Sequence, residues 1–95
     1  MNENSFQPDQ VFKVVENIVW KKLDTGIILL NLQIGNYFTL NETGSFIWSL
    51  ITDGKNFQEI ESETFSKYEG KEEEMKAYIA EFITGLIDEN VIQVE

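Results

Sequence analysis

The sequence predicts an α+β fold of the winged helix-turn-helix kind: a three-stranded antiparallel β-meander followed by three α-helices. Three observations carry that prediction. Three short apolar runs between residues 17 and 40 are separated by tight-turn chemistry. From Asn41 onward the apolar residues recur at helical spacing, in three blocks divided by Gly54 and Gly70. The chain has 95 residues, the size of one domain.

The elements follow in order. Residues 1–10 are polar, hold the single proline, Pro8, and read as a flexible N-terminal tail. The folded domain spans 11–95. Residues 11–16 fit either an extra strand or an arm. Residues 17–23 are rich in β-branched and aromatic side chains, and Asp24-Thr25-Gly26 supplies a turn. Residues 27–32 are almost continuously apolar, a pattern that suits a strand covered on both faces. Gln33-Ile34-Gly35-Asn36 is a second turn, with Gly35 or Asn36 able to take positive φ. The third strand follows at 36–40. Two tight connections in succession place 27–32 in the middle of the meander and leave 36–40 at an edge.

Asn41 is a good N-cap, because its side-chain oxygen can accept from a helical N–H that has no partner in the first turn. The first helix runs to Thr52, with Phe46, Ile47, Leu50 and Ile51 on one face and Trp48 beside them. Asp53-Gly54 stops it. Asn56 followed by Glu59 reads as a variant capping box. It opens a helix over 57–68 that buries Phe57, Ile60, Phe65 and Tyr68. The third helix, over 71–89, has the strongest pattern: Met75, Tyr78, Ile79, Phe82, Ile83, Leu86 and Ile87. Glu72, Glu73 and Glu74 favour its positive end. Asn90 can close it in the left-handed conformation, and 91–94 forms an extended tail that packs down.

Composition narrows the function. Apolar residues make up 42% and aromatics 13%, enough for a core. With no cysteine and no histidine, the usual nucleophile–base pairs and the commonest metal ligands are missing. We expect no enzyme activity, no cofactor and no metal. The acidic run Glu72-Glu73-Glu74 does not change this, because consecutive helical residues splay around the axis. The formal net charge is −10, which repels nucleic acid and anionic membrane and favours basic partners. No signal peptide or 20-residue apolar span is present, so a cytoplasmic monomer is expected.

An edge strand offers N–H and C=O groups that must be protected or used. The strand at 36–40 carries no charged residue. An extended peptide can add to such an edge, with backbone bonds for affinity and pockets for selectivity. Alternation turns Phe38 and Leu40 to the core and Tyr37 and Thr39 to the other face. The helix over 71–89 can pack inward and still line one flank of such a groove.

The run Gly35-Asn36-Tyr37-Phe38-Thr39-Leu40-Asn41-Glu42-Thr43-Gly44 resembles the "G-x-Y-Y-x-L-N-x-T-G" stretch of the PqqD-like family. The likeness continues through Leu29-Leu30-Asn31 upstream, then Ile47-Trp48, Leu50, Asp53-Gly54, Glu59-Ile60, Tyr68, Phe82-Ile83, Leu86 and Val91-Ile92. It spans about 14–94. The resemblance implies a non-catalytic recognition element for ribosomally synthesised peptides that are later modified (a RiPP recognition element, or peptide chaperone). In that family a leader peptide adds as a strand and lies between the third strand and the third helix. The domain presents it to a tailoring enzyme, a radical SAM enzyme or, in lasso-peptide clusters, a leader protease. PQQ biosynthesis, a lasso peptide and another modified peptide all stay open as the pathway. Carried over by position, the peptide-binding residues are Asn36, Tyr37, Phe38, Thr39 and Leu40 from the strand, with Met75, Tyr78, Ile79 and Phe82 from the helix. Many relatives carry an acidic residue where this chain has Tyr78, in a "D-V" pair that here reads Tyr78-Ile79. The alternative reading is a winged-helix DNA-binding or transcription-regulatory domain. Charge opposes it, since 71–89 holds two lysines against six carboxylates.

Overall fold

The computed structural model describes residues 6–95. Its elements are β1 (Phe12–Val14), β2 (Ile18–Leu23), β3 (Gly26–Asn31), β4 (Tyr37–Leu40), α1 (Glu42–Thr52), α2 (Phe57–Lys67), α3 (Glu72–Asp88) and β5 (Ile92–Val94). The α+β architecture is the expected one. The antiparallel sheet runs β2-β3-β4 and the three helices follow it.

The local determinants read from the sequence act as expected. Asn41 Oδ1 accepts from Gly44 N–H at 2.8 Å and caps α1. Asn56 and Glu59 form a full capping box on α2: Glu59 N–H donates to Asn56 Oδ1 at 2.8 Å, and Asn56 N–H donates to Glu59 Oε1 at 2.9 Å. Asn90 takes φ 61° just after α3. Leu29, Ile47, Trp48, Ile60, Ile79, Ile83 and Val91 are fully buried at the centre of the core.

Four points are settled or revised. The ambiguous segment at 11–16 contains a strand, β1, and the tail at 91–94 contains its antiparallel partner, β5, with Phe12 opposite Val94 and Val14 opposite Ile92. Residues 6–10 are docked, where a flexible tail was expected over 1–10. Phe6 packs against Phe12 and Phe57 with ring centroids 5.4 and 5.2 Å apart. The carbonyls of Gln10 and Pro8 accept from Phe57 and Gln58 N–H, two first-turn donors of α2 that have no partner within the helix. Residues 1–5 of that expected tail lie outside the described residues.

The third revision concerns β3. Its burial alternates: Ile27, Leu29 and Asn31 are buried, while Ile28 and Leu30 are only half-buried. A meander joined by short turns puts its helices on one face, so the second face of β3 stays partly open. Asn31 fits the buried face because its Oδ1 accepts from Gln33 and Ile34 N–H, which fixes the β3–β4 turn. In the fourth, Thr64 takes a core position on α2 where Phe65 and Tyr68 are only half-buried. Its hydroxyl donates to the Ile60 carbonyl at 2.7 Å, so no polar atom there is left without a bond.

Candidate peptide-binding edge

β4 pairs with β3 in the register Ile27–Leu40, Ile28–Thr39, Leu29–Phe38 and Leu30–Tyr37. No described strand lies on its other side. Asn31 N–H donates to the Asn36 carbonyl at 2.9 Å. Bonded and non-bonded pairs alternate along an antiparallel ladder. Phe38 and Leu40 therefore bond to β3, and the N–H and C=O of Tyr37 and Thr39 point away from the sheet. An added strand would meet those two residues.

The side chains divide as alternation requires. Phe38 and Leu40 are half-buried and pack against the core. Tyr37 is 68% exposed, and Thr39 and Asn36 are also exposed. Across the sheet's outer face, Tyr37 shares a row with Leu30 and Val19, so an apolar band reaches the edge.

α3 contributes from beside the start of α1. A Cβ built at Gly44 would lie 3.0 Å from Phe82 Cε1 and 3.2 Å from its Cζ, so glycine lets the Phe82 ring sit against the start of α1, just beyond β4, a few tenths of an ångström closer than a larger residue would. Tyr78 stacks on Phe82 with centroids 6.3 Å apart and planes 15° from parallel, and Tyr78 is 40% exposed. Ile79 is fully buried and holds α3 to the core. Met75 is half-buried, with its sulfur beside Gly70 at the α2–α3 corner. Of the four helix residues singled out by sequence, Tyr78 is the most exposed and Phe82 meets the start of α1.

Among the described residues, no group of three or more carboxylates is placed to hold a metal ion. Nor is any helix among them long and apolar enough to cross a membrane.

The family model for coenzyme PQQ synthesis protein D (PqqD) matches residues 26–92. The chain belongs to the PqqD family. Two solved structures share the fold of this PqqD-family chain closely. One is "TbiB1 in Complex with the TbiA(beta) Leader Peptide", 30% identical, with a TM-score of 0.80 over 85% of this chain and 94% of that one. The other is "Lasso peptide synthetase B1 complexed with the leader peptide", 26% identical, with a TM-score of 0.80 over 86% and 96%. No curated protein matches the chain.

Sequence reasoning did not anticipate a second concavity. A cavity of about 730 Å³ lies between the β2–β3 hairpin, α1 and the end of α2, with Trp20, Phe46, Trp48 and Tyr68 among its walls. Its one sequence-level trace is Trp20 beside a lysine pair in an acidic chain.

Proposed function

We propose that this PqqD-family chain captures the leader of a ribosomally synthesised precursor peptide by strand addition to β4. The peptide lies between β4 and α3 and is presented to a modifying enzyme. The observation that carries this reading is the open, uncharged β4 edge, with the N–H and C=O of Tyr37 and Thr39 directed outward. Both structural neighbours are complexes with a leader peptide, which supports the same reading.

The binding residues are Asn36, Tyr37, Phe38, Thr39 and Leu40 on the strand side. Tyr78 and Phe82 line the helix side, with Met75 at its far end and Ile79 beneath. The mechanism is capture and delivery, with no chemistry performed by the chain. The partners are the leader and a tailoring enzyme, either a radical SAM enzyme or a leader protease, met by a cytoplasmic monomer. Two lysines against six carboxylates over 71–89 would repel a phosphate backbone, so the DNA-binding reading is disfavoured. The same charge steers a basic segment of the leader or enzyme, and leader affinity should fall as salt is raised.

The test is an amide NMR titration of the chain with the leader of a precursor encoded beside it. Shifts should concentrate at Tyr37, Thr39, Tyr78 and Phe82. Saturable binding that moves neither β4 nor α3 would show the groove assignment to be wrong.

A further inference from the structure

One residue organises the turn that leads into β4. Four successive residues, Gln33 to Asn36, each form a hydrogen bond with Asn31. Its Oδ1 accepts from Gln33 N–H at 2.9 Å and from Ile34 N–H at 3.3 Å. Its carbonyl accepts from Gly35 N–H at 2.8 Å, and its own N–H donates to the Asn36 carbonyl at 2.9 Å. Any residue here keeps the two backbone bonds. Only a short side chain with an acceptor can make the other two.

The position is one where an apolar side chain would be expected. Asn31 is 6% exposed, on the face of β3 that also buries Ile27 and Leu29. Yet the two groups its side chain serves are not buried. Gln33 and Ile34 are exposed, and water can satisfy their N–H groups. Pairing those donors is therefore no reason to place an amide in the core. What water cannot supply is the conformation. Two N–H groups share one oxygen, and Gly35 takes φ 79° in the left-handed region, so the turn is held in one shape. β2 adds a tie from outside: Leu32 N–H donates to the Asn17 carbonyl at 2.8 Å, and Asn17 Nδ2–H donates to Gln33 Oε1 at 3.3 Å.

The shape of this turn governs the edge. A hairpin turn fixes register, and register decides which residues of the strand face outward. Asn36 leaves the turn bonded to Asn31, which leaves the N–H and C=O of Tyr37 and Thr39 on the open side. β4 has four residues and no described strand beyond it. Its far end runs directly into the capped α1, and its near end has this turn as anchor.

We propose that Asn31 is a positioning residue for leader capture: its side-chain oxygen holds the β3–β4 turn so that Tyr37 and Thr39 are pre-set to receive the added strand. The proposal rests on the reading of β4 as the leader-binding edge. An edge already ordered loses less freedom when a peptide adds to it, so the oxygen acts on affinity more than on stability. With the clamp released, the turn visits other shapes, and the observed affinity falls with the fraction that stays competent.

The experiment titrates the full chain and two pairs of variants with the leader of a precursor encoded beside it, by calorimetry. Chemical denaturation gives the folded fraction of each. Asn31→Leu keeps the branching of the side chain but removes the acceptor, and should raise the leader Kd about tenfold in a chain that is still folded. Asn31→Asp keeps an oxygen for both N–H groups and should stay within about threefold of the parent. Gly35→Ala loosens the same turn by another route, because a Cβ there meets nothing while the left-handed φ is disfavoured. It should weaken binding about fivefold, and Gly35→Asn, which tolerates that φ, should restore it. In the free chain, the Phe38 amide, bonded to β3, should exchange about tenfold faster in Asn31→Leu, while the buried Ile79 amide stays protected. A residue that serves stability alone would not move Kd in a folded chain. Should Asn31→Leu not fold, the Gly35 pair decides. The proposal is overturned if leader affinity is unchanged in the folded Asn31→Leu and Gly35→Ala chains, or if Asn31→Asp loses as much as Asn31→Leu. A parent chain that does not bind the leader overturns the β4 reading as well, so the two failures are distinct.

Discussion

At one edge of the three-stranded sheet, β4 reads Tyr-Phe-Thr-Leu and carries no charge; at the other, β2 places Lys21 and Lys22 in succession. Lysines on an edge strand are a common guard against indiscriminate pairing, because a second copy would bring like charges together. β2 is guarded in this way and β4 is not. The flanks differ too. Just beyond β4, Phe82 of the carboxylate-rich α3 meets the start of α1, and the exposed Tyr78 ring stacks on it. Beside β2 lies an aromatic cavity with two lysines and two carboxylates, Asp24 and Glu42, at its walls. The backbone offers the same hydrogen bonds at both edges, so side chains alone decide which strand each would accept.

The most damaging way to break this contrast is to remove the sheet under both edges. Gly26 faces the Leu40 carbonyl so closely that a Cβ would collide with backbone. Gly26→Ala should destabilise the domain by about 3 kcal/mol, read by chemical denaturation, and weaken leader binding. A sharper cut separates the edges. The Thr39 N–H points away from β3, so Thr39→Pro removes an outward donor and spares the ladder. It should lower leader affinity about tenfold or more, by titration calorimetry. Lys22→Pro makes the equivalent change on β2 and should leave leader affinity unaltered. Equal losses from both prolines would abolish the distinction between the edges.

Smaller effects test the support. Asn41→Ala deletes the cap that follows β4 and should cost about 1 kcal/mol of stability. The smallest concerns Glu61, remote from both edges on α2. Burial raises its carboxyl above the ordinary 4.5, with Lys76 opposing the rise and Glu72 adding to it. The folded state therefore holds this proton more tightly than the unfolded chain. That contribution is present below 4.5 and is lost as pH rises through the raised value. Glu61→Gln should melt slightly higher than the parent at neutral pH. The difference should vanish in acid, and leader binding should not change.

Much of this was legible in the sequence because it is local. Asn41, Asn56 with Glu59, and Asn90 act within one turn of their own positions, and the apolar spacing of α3 is long enough to fix its inward face. The β4 edge was legible because turn chemistry on both sides of 27–32 settles the strand order. What escaped is non-local or paired. β1 and β5 are three residues each, too short for any period, and gain meaning only from each other. The open face of β3 depends on where the helices settle, which a continuous apolar run does not reveal. Nor does a sequence show that Trp48 Nε1 and Tyr68 Oη end up without a partner among the described residues, since that is a property of everything around them.

The β1–β5 ribbon also bears on how the domain comes into being. The meander and the capped helices join near neighbours and can form early, whereas Phe12 has no strand partner until Val94 arrives. Contacts between such distant residues carry a large loop-closure cost and form slowly. The sheet with both its edges can therefore assemble before the ribbon closes. A nascent chain would therefore expose β4 before it is fully closed, and a leader arriving then would pair with a domain still under construction.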